Sequence, residues 1–126
     1  MKTQTLHWKA AEALRKAIQA QLKEFIDAIV VYGSVARGEA TEDSDIDVLI
    51  IGSRIHQYEK TIAAIRTEID IEYGTLTTLI YRTPAQITKD LERGSPFLHE
   101  VLREAEALYD NGTYRQLRSG LLPTIQ

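Results

Sequence analysis

The stretch Ser44-Asp45-Ile46-Asp47-Val48-Leu49-Ile50-Ile51 constrains this chain most tightly, because it opens an apolar run with two aspartates one residue apart. A short β-branched run bounded by turn residues reads as a buried strand, here over 45–51 and ended by Gly52-Ser53. Along a strand, residues i and i+2 point to one face. Asp45 and Asp47 therefore share a face, roughly 7 Å apart along the chain. Two carboxylates so placed repel each other unless a cation sits between them. Mg2+ fits the arrangement, since it takes carboxylate oxygens at about 2.1 Å and keeps positions open for water and phosphate oxygens.

A second apolar run comes earlier. Ala28-Ile29-Val30-Val31 leads into Tyr32-Gly33-Ser34-Val35-Ala36-Arg37-Gly38 and predicts a core strand over 27–33. A glycine at the end of a strand lets the backbone approach a ligand with no Cβ in the way. A helix or tight turn starting at Ser34 points free N–H groups at the same place, and the Ser34 hydroxyl adds a donor. A phosphate cradle beside a metal-binding acid pair describes a site for a nucleoside triphosphate with Mg2+.

Gly33-Ser34, ten intervening residues and then Asp45-Ile46-Asp47 resembles the signature of the minimal nucleotidyltransferases, in the DNA polymerase β-like superfamily. Tyr32, Ala36-Arg37-Gly38, Ser44 and Val48-Leu49 agree with it, and Ser95-Pro96-Phe97-Leu98 followed by Val101 and Glu104 resembles the tail helix of the same small proteins. The resemblance implies a polymerase β-like nucleotidyltransferase fold, of α/β (α+β) class, that transfers AMP from ATP to a hydroxyl with Mg2+ as cofactor. It implies that Asp45 and Asp47 are catalytic and hold the metal, and that Gly33, Ser34, Arg37 and Ser44 bind the nucleotide. Arg37 is the one basic residue between Val35 and Ser44, where Glu39 and Glu42 are acidic. It either contacts phosphate or ties the loop down.

The family places a third carboxylate on the strand after the second helix, close to the attacking hydroxyl. Here Thr75-Leu76-Thr77-Thr78-Leu79-Ile80-Tyr81 carries no acid. If the preceding helix ends early, Ile69-Asp70-Ile71-Glu72-Tyr73 alternates like a strand, and Glu72 or Asp70 completes the catalytic set. Otherwise both belong to a solvated helix face.

The small stand-alone members that this chain resembles are antitoxins encoded beside a HEPN-domain toxin, and transfer AMP to a toxin tyrosine. With 126 residues there is no room for a second substrate-binding domain, so a partner surface supplies the acceptor. Two other readings stand beside this one. The missing third acid favours a weak or inactive NTP-binding module that neutralises a partner by covering it. Adenylylation of a small hydroxyl compound, as in aminoglycoside-modifying relatives, normally involves a further helical domain.

Length sets the expectation of one domain over 1–126. A net charge of −3 argues against a direct nucleic-acid partner, which calls for a basic patch. The chain has no cysteine, hence neither disulfides nor a thiolate metal site, as fits a cytoplasmic protein. No apolar segment follows the start as in a signal peptide, and none approaches the roughly 18 residues of a membrane span. A homo-oligomer is compatible with all of this.

Trp8, Ala11, Leu14, Ile18, Leu22 and Phe25, spaced by three and four, predict an amphipathic helix over 8–24 that begins at His7 and Trp8. Tyr58, Ile62, Ile65 and Ile69 predict a second over 56–73, stopped by Gly74. Residues 75–82 predict a third strand, which closes a core over 27–82. Thr83-Pro84-Ala85-Gln86 starts a short helix with an N-cap, a proline at N1 and a glutamine at N3. Ser95-Pro96 starts another, with Phe97, Leu98, Val101, Leu102, Ala105 and Leu108 inward. A turn at Asp110-Asn111-Gly112 and a helical segment within Tyr114 to Leu122 complete the C-terminal helices of 84–122, with a loose end from Pro123. His56 and His99 read as surface residues, and Glu100, Arg103 and Glu104 as an exposed helix face. The sum is a small mixed sheet flanked by helices.

Overall fold

A computed structural model describes residues 2–120; the expected helix end at Leu122 and the loose end from Pro123 lie outside them. The two apolar runs form the centre of a four-stranded mixed sheet in the order β3-β2-β1-β4. Strand β1 is Ala28–Tyr32 and β2 is Ile46–Ile51. They pair antiparallel, from Ala28 opposite Ile51 to Tyr32 opposite Asp47. Strand β3, Thr77–Arg82, runs parallel to β2, with Ile46 beside Thr77 and Asp47 beside Thr78. Strand β4, Glu106–Asp110, pairs antiparallel with β1 across a register shift between Ile29 and Val30.

Every residue of β1 is buried, because the sheet is covered on both faces. One face carries Ile29, Val31, Ile46, Val48 and Ile50. Over it lie α1 (Lys2–Leu22), through Ala11, Leu14 and Ile18, and α3 (Glu59–Tyr73), through Ile62 and Ile65. The four-residue helix α2 (Gly33–Ala36) adds Val35 to this side. The other face carries Ala28, Val30, Tyr32, Leu49 and Ile51, covered by α4 (Pro84–Glu92), α5 (Pro96–Glu104) and α6 (Thr113–Ser119). Burying each of these Ile and Leu side chains stabilises the fold by roughly 1.5–3 kcal/mol. Among the described residues no helix is long and apolar enough to cross a membrane.

The elements follow the sequence with three corrections. Helix α1 begins at Lys2, well ahead of Trp8, and His7 inside it is buried. Helix α5 stops at Glu104, where Ala105 turns extended (φ −67°, ψ 150°), and the chain enters β4 instead of continuing as helix. Phe97, expected inward, is 47% exposed and meets the edge of Tyr32 at 5.8 Å. Gly74 does stop α3, in the left-handed conformation a Cβ disfavours (φ 67°). Thr83 also caps α4 as expected: its hydroxyl accepts from Gln86 N–H, while Gln86 Oε1 accepts from Thr83 N–H at 2.8 Å. Thr83→Ala should lower stability by about 1 kcal/mol in a denaturant titration.

His56 sits in the 3-10 turn Ile55–Tyr58 and reaches both Gln86 Oε1 (2.8 Å) and Glu59 Oε2 (2.6 Å). The hydrogen bond to Gln86, then that to Glu59, raise its pKa above 6.5. This stabilisation is fully present below about pH 6.5 and is lost as pH rises through the higher folded value. A pH series of thermal midpoints should show that loss in the wild type and not in His56→Gln.

Candidate functional site

The register of β1 with β2 builds the site. Asp47 lies opposite Tyr32, the residue before Gly33. Gly33 adopts a positive φ of 74°, and a Cβ there would stand 2.3 Å from Asp47 Oδ2. Only glycine lets the chain turn this close to the acid. From Gly33 the backbone closes into α2, with Arg37 N–H on Gly33 O (3.1 Å) and Glu39 N–H on Ser34 O (2.8 Å). The Ser34 side chain is half-buried at the same turn.

Strand alternation sets Asp47 on the same face as Leu49 and Ile51, the one covered by α4, α5 and α6. Asp45, one residue before the strand, accepts a hydrogen bond from Thr78 Oγ1 at 3.1 Å. The position beside the acid pair on β3 is thus a hydroxyl, as the acid-free sequence of that strand implies. Burial, then the charge of Asp45, raise the pKa of Asp47, with Glu104 adding to the rise and Arg37 opposing it. Tyr32 is pushed up to about 12 by burial and then by Asp47, against Arg82. Asp45 and Glu104 thus add negative charge beside Asp47, and Arg37 offsets part of it.

That donor set fits Mg2+: two hard carboxylates share a face and are held against mutual repulsion. No group of three or more His, Cys, Asp or Glu arranged to hold a metal occurs among the described residues. Two carboxylates alone would leave most positions of a bound Mg2+ to other ligands.

Gly33, Ser34, Asp45 and Asp47 come together. Arg37 sits beside them, donating to Glu39 (2.8 Å) and to both oxygens of Glu104 (3.2 Å each). Ser44 instead closes its own turn, its hydroxyl accepting from Thr41 N–H at 2.8 Å. Glu72 is not brought to the pair. Helix α3 runs unbroken to Tyr73, so 69–73 is no strand, and Glu72 is exposed on it. That helix covers the sheet face opposite Asp47. Asp70, on the same helix, accepts from Thr75 Oγ1 (2.8 Å), Thr77 Oγ1 (2.7 Å) and Thr77 N–H (2.9 Å), and so pins the turn into β3.

Glu104, expected on a solvated helix face, is the residue sequence reasoning missed. Its side chain is only 16% exposed, and Oε1 accepts from Gly33 N–H at 3.1 Å. Once α5 is seen to end at Glu104, the carboxylate stands in the last turn of a helix, where the helix dipole opposes it and the contacts to Gly33 and Arg37 hold it.

A family model described as a nucleotidyltransferase domain matches residues 11–103. A protein of Methanocaldococcus jannaschii named as a protein adenylyltransferase is 31% identical over 101 residues, covering 80% of this chain and 96% of that one. A chain of a toxin–antitoxin crystal structure with AMP-PNP has the same fold, with TM-score 0.58 at 15% identity over 91% of this chain and 86% of that one. So does a Sulfolobus solfataricus protein described as a nucleotidyltransferase, with TM-score 0.52 at 14% identity over 87% and 86%.

The raised pKa of Asp47 has a measurable sign. Below pH 3.8 its carboxyl is protonated in folded and unfolded chains alike; as pH rises through the higher folded value, its charge destabilises the fold. Asp47→Asn should raise the thermal midpoint of the metal-free protein at neutral pH, and the gain should vanish as pH falls toward 3.8.

Proposed function

The chain belongs to the nucleotidyltransferase domain family, and from that premise we propose that it transfers AMP from ATP to a hydroxyl of a partner protein, with Asp45 and Asp47 as its catalytic carboxylates. The observation that carries this reading is the closeness of Gly33 to Asp47, which puts a bare backbone turn and a metal-binding acid within one side chain of each other. We take the acceptor to be a tyrosine of a HEPN-type toxin and the role to be that of a cytoplasmic antitoxin acting as one domain. Two observations support this: the adenylyltransferase name of the Methanocaldococcus relative and the fold shared with a toxin–antitoxin chain.

In this reading Asp45 and Asp47 hold Mg2+, while Gly33 N–H, the Ser34 hydroxyl and Arg37 orient the triphosphate. Held by Asp45 and Asp47, Mg2+ would supply positive charge to offset that of the phosphates and the leaving pyrophosphate. Thr78 steadies Asp45 through its hydroxyl. A second reading rests on β3, where Thr78 stands and no acid does: a protein that binds NTP and covers its partner without turnover. Glu72 has no part in either reading, because α3 holds it over the opposite face.

Incubation with α-labelled ATP, Mg2+ and the co-purifying partner decides between the two. Label on a partner tyrosine supports transfer; nucleotide binding with no label supports the covering role. Asp45→Asn and Asp47→Asn should each abolish Mg-ATP binding while the fold stays intact. Ser34→Ala should weaken binding by about 1 kcal/mol, one hydrogen bond's worth. Wild-type affinity in all three would overturn the site.

A further inference from the structure

Glu104 occupies the donors that a phosphate would need. Gly33 N–H and the Arg37 guanidinium are two donors beside the acid pair that could bind an anion, and Glu104 takes both, through Oε1 at 3.1 Å and through both oxygens at 3.2 Å. Its carboxylate is largely buried there, at the C-terminal end of α5, where the helix dipole disfavours a negative charge. It also adds to the negative field on Asp47. Nothing in the packing of α5 asks for it, since Leu98, Val101 and Leu102 already anchor that helix.

We propose that Glu104 is a built-in phosphate surrogate: it holds Gly33 and Arg37 in a binding-ready arrangement in the nucleotide-free protein, and an incoming polyphosphate must displace it. A carboxylate and a phosphate oxygen accept the same hydrogen bonds with similar geometry, so either one satisfies the turn. They cannot share it, because like charges at contact distance repel. Affinity for the triphosphate is therefore the difference between two anions competing for one cradle. The inference rests on the nucleotide reading above and assigns its phosphate side to Gly33 and Arg37.

The test is Glu104→Gln in the full chain, with Glu100→Gln, an exposed glutamate on the same helix, matching the change in net charge. A glutamine oxygen still accepts from Gly33 N–H but carries no charge to repel phosphate. Calorimetric titration with Mg-ATP should show Glu104→Gln binding at least about fivefold tighter than wild type, and Glu100→Gln binding as wild type does. A merely structural glutamate would give weaker binding when changed, so equal or weaker affinity in Glu104→Gln overturns the proposal. A parallel titration with inorganic tripolyphosphate, followed by the Gly33 amide resonance, separates the two readings. If Mg-ATP binds neither protein yet tripolyphosphate moves the amide further in Glu104→Gln, the nucleotide reading fails and the surrogate stands. If the amide moves in neither protein, the surrogate fails.

Discussion

The antiparallel pairing of β1 with β2, in the register that sets Tyr32 opposite Asp47, is the constraint on which the rest depends. Both strands are apolar on both faces, so burial alone would tolerate several alignments. A slip of one residue, however, would turn Asp45 and Asp47 toward the face packed by α1 and α3. There two carboxylates would enter an aliphatic core with no partners, at a cost of several kcal/mol each. The aspartates therefore enforce the register that sets Asp47 beside Gly33. Gly33 follows from the same alignment: once Asp47 stands opposite Tyr32, a Cβ on the next residue would lie 2.3 Å from Asp47 Oδ2.

The two faces of the sheet divide labour. The face under α1 and α3 is structural, and its polar contacts serve turns, as Asp70 does for Thr75 and Thr77. The face under α4, α5 and α6 gathers the proposed site at one end, where Asp47 stands opposite Tyr32, Thr78 donates to Asp45 and Glu104 accepts from Gly33. This division keeps Glu72 away from the acids, however well its distance along the chain suits a third carboxylate.

What could be read from the chain was local. The acid pair, the Gly-Ser turn and the strands β1 and β2 announce themselves because apolar runs and turn residues lie next to one another. Gly74 and the Thr83–Gln86 cap did so for the same reason, since both ends of each interaction fall within a few residues. Strand β4 was hidden because its partner β1 lies most of the chain away, and because Ala105 and Leu108 prolong the helical spacing of Leu98 and Val101 past the point where the backbone extends. Glu104 was hidden by that same error. A helix running on past it makes it one more solvated charge, whereas a helix ending at it delivers the carboxylate to Gly33.

The strand order carries a consequence for the chain as it is made. Synthesis releases β1, β2 and β3 long before β4, yet β4 is the strand that covers the second edge of β1. Until Asp110 has emerged from the ribosome, the sequence Ala28-Ile29-Val30-Val31-Tyr32 presents an unpaired, wholly apolar edge, the kind of template that recruits other nascent chains. Helix α5 and its glutamate reach the Gly33 turn in the same late step. Residues 104–110 thus both cover the second edge of β1 and bring a carboxylate to the Gly33 turn, so a chain that lacks them exposes that edge and leaves the turn without Glu104.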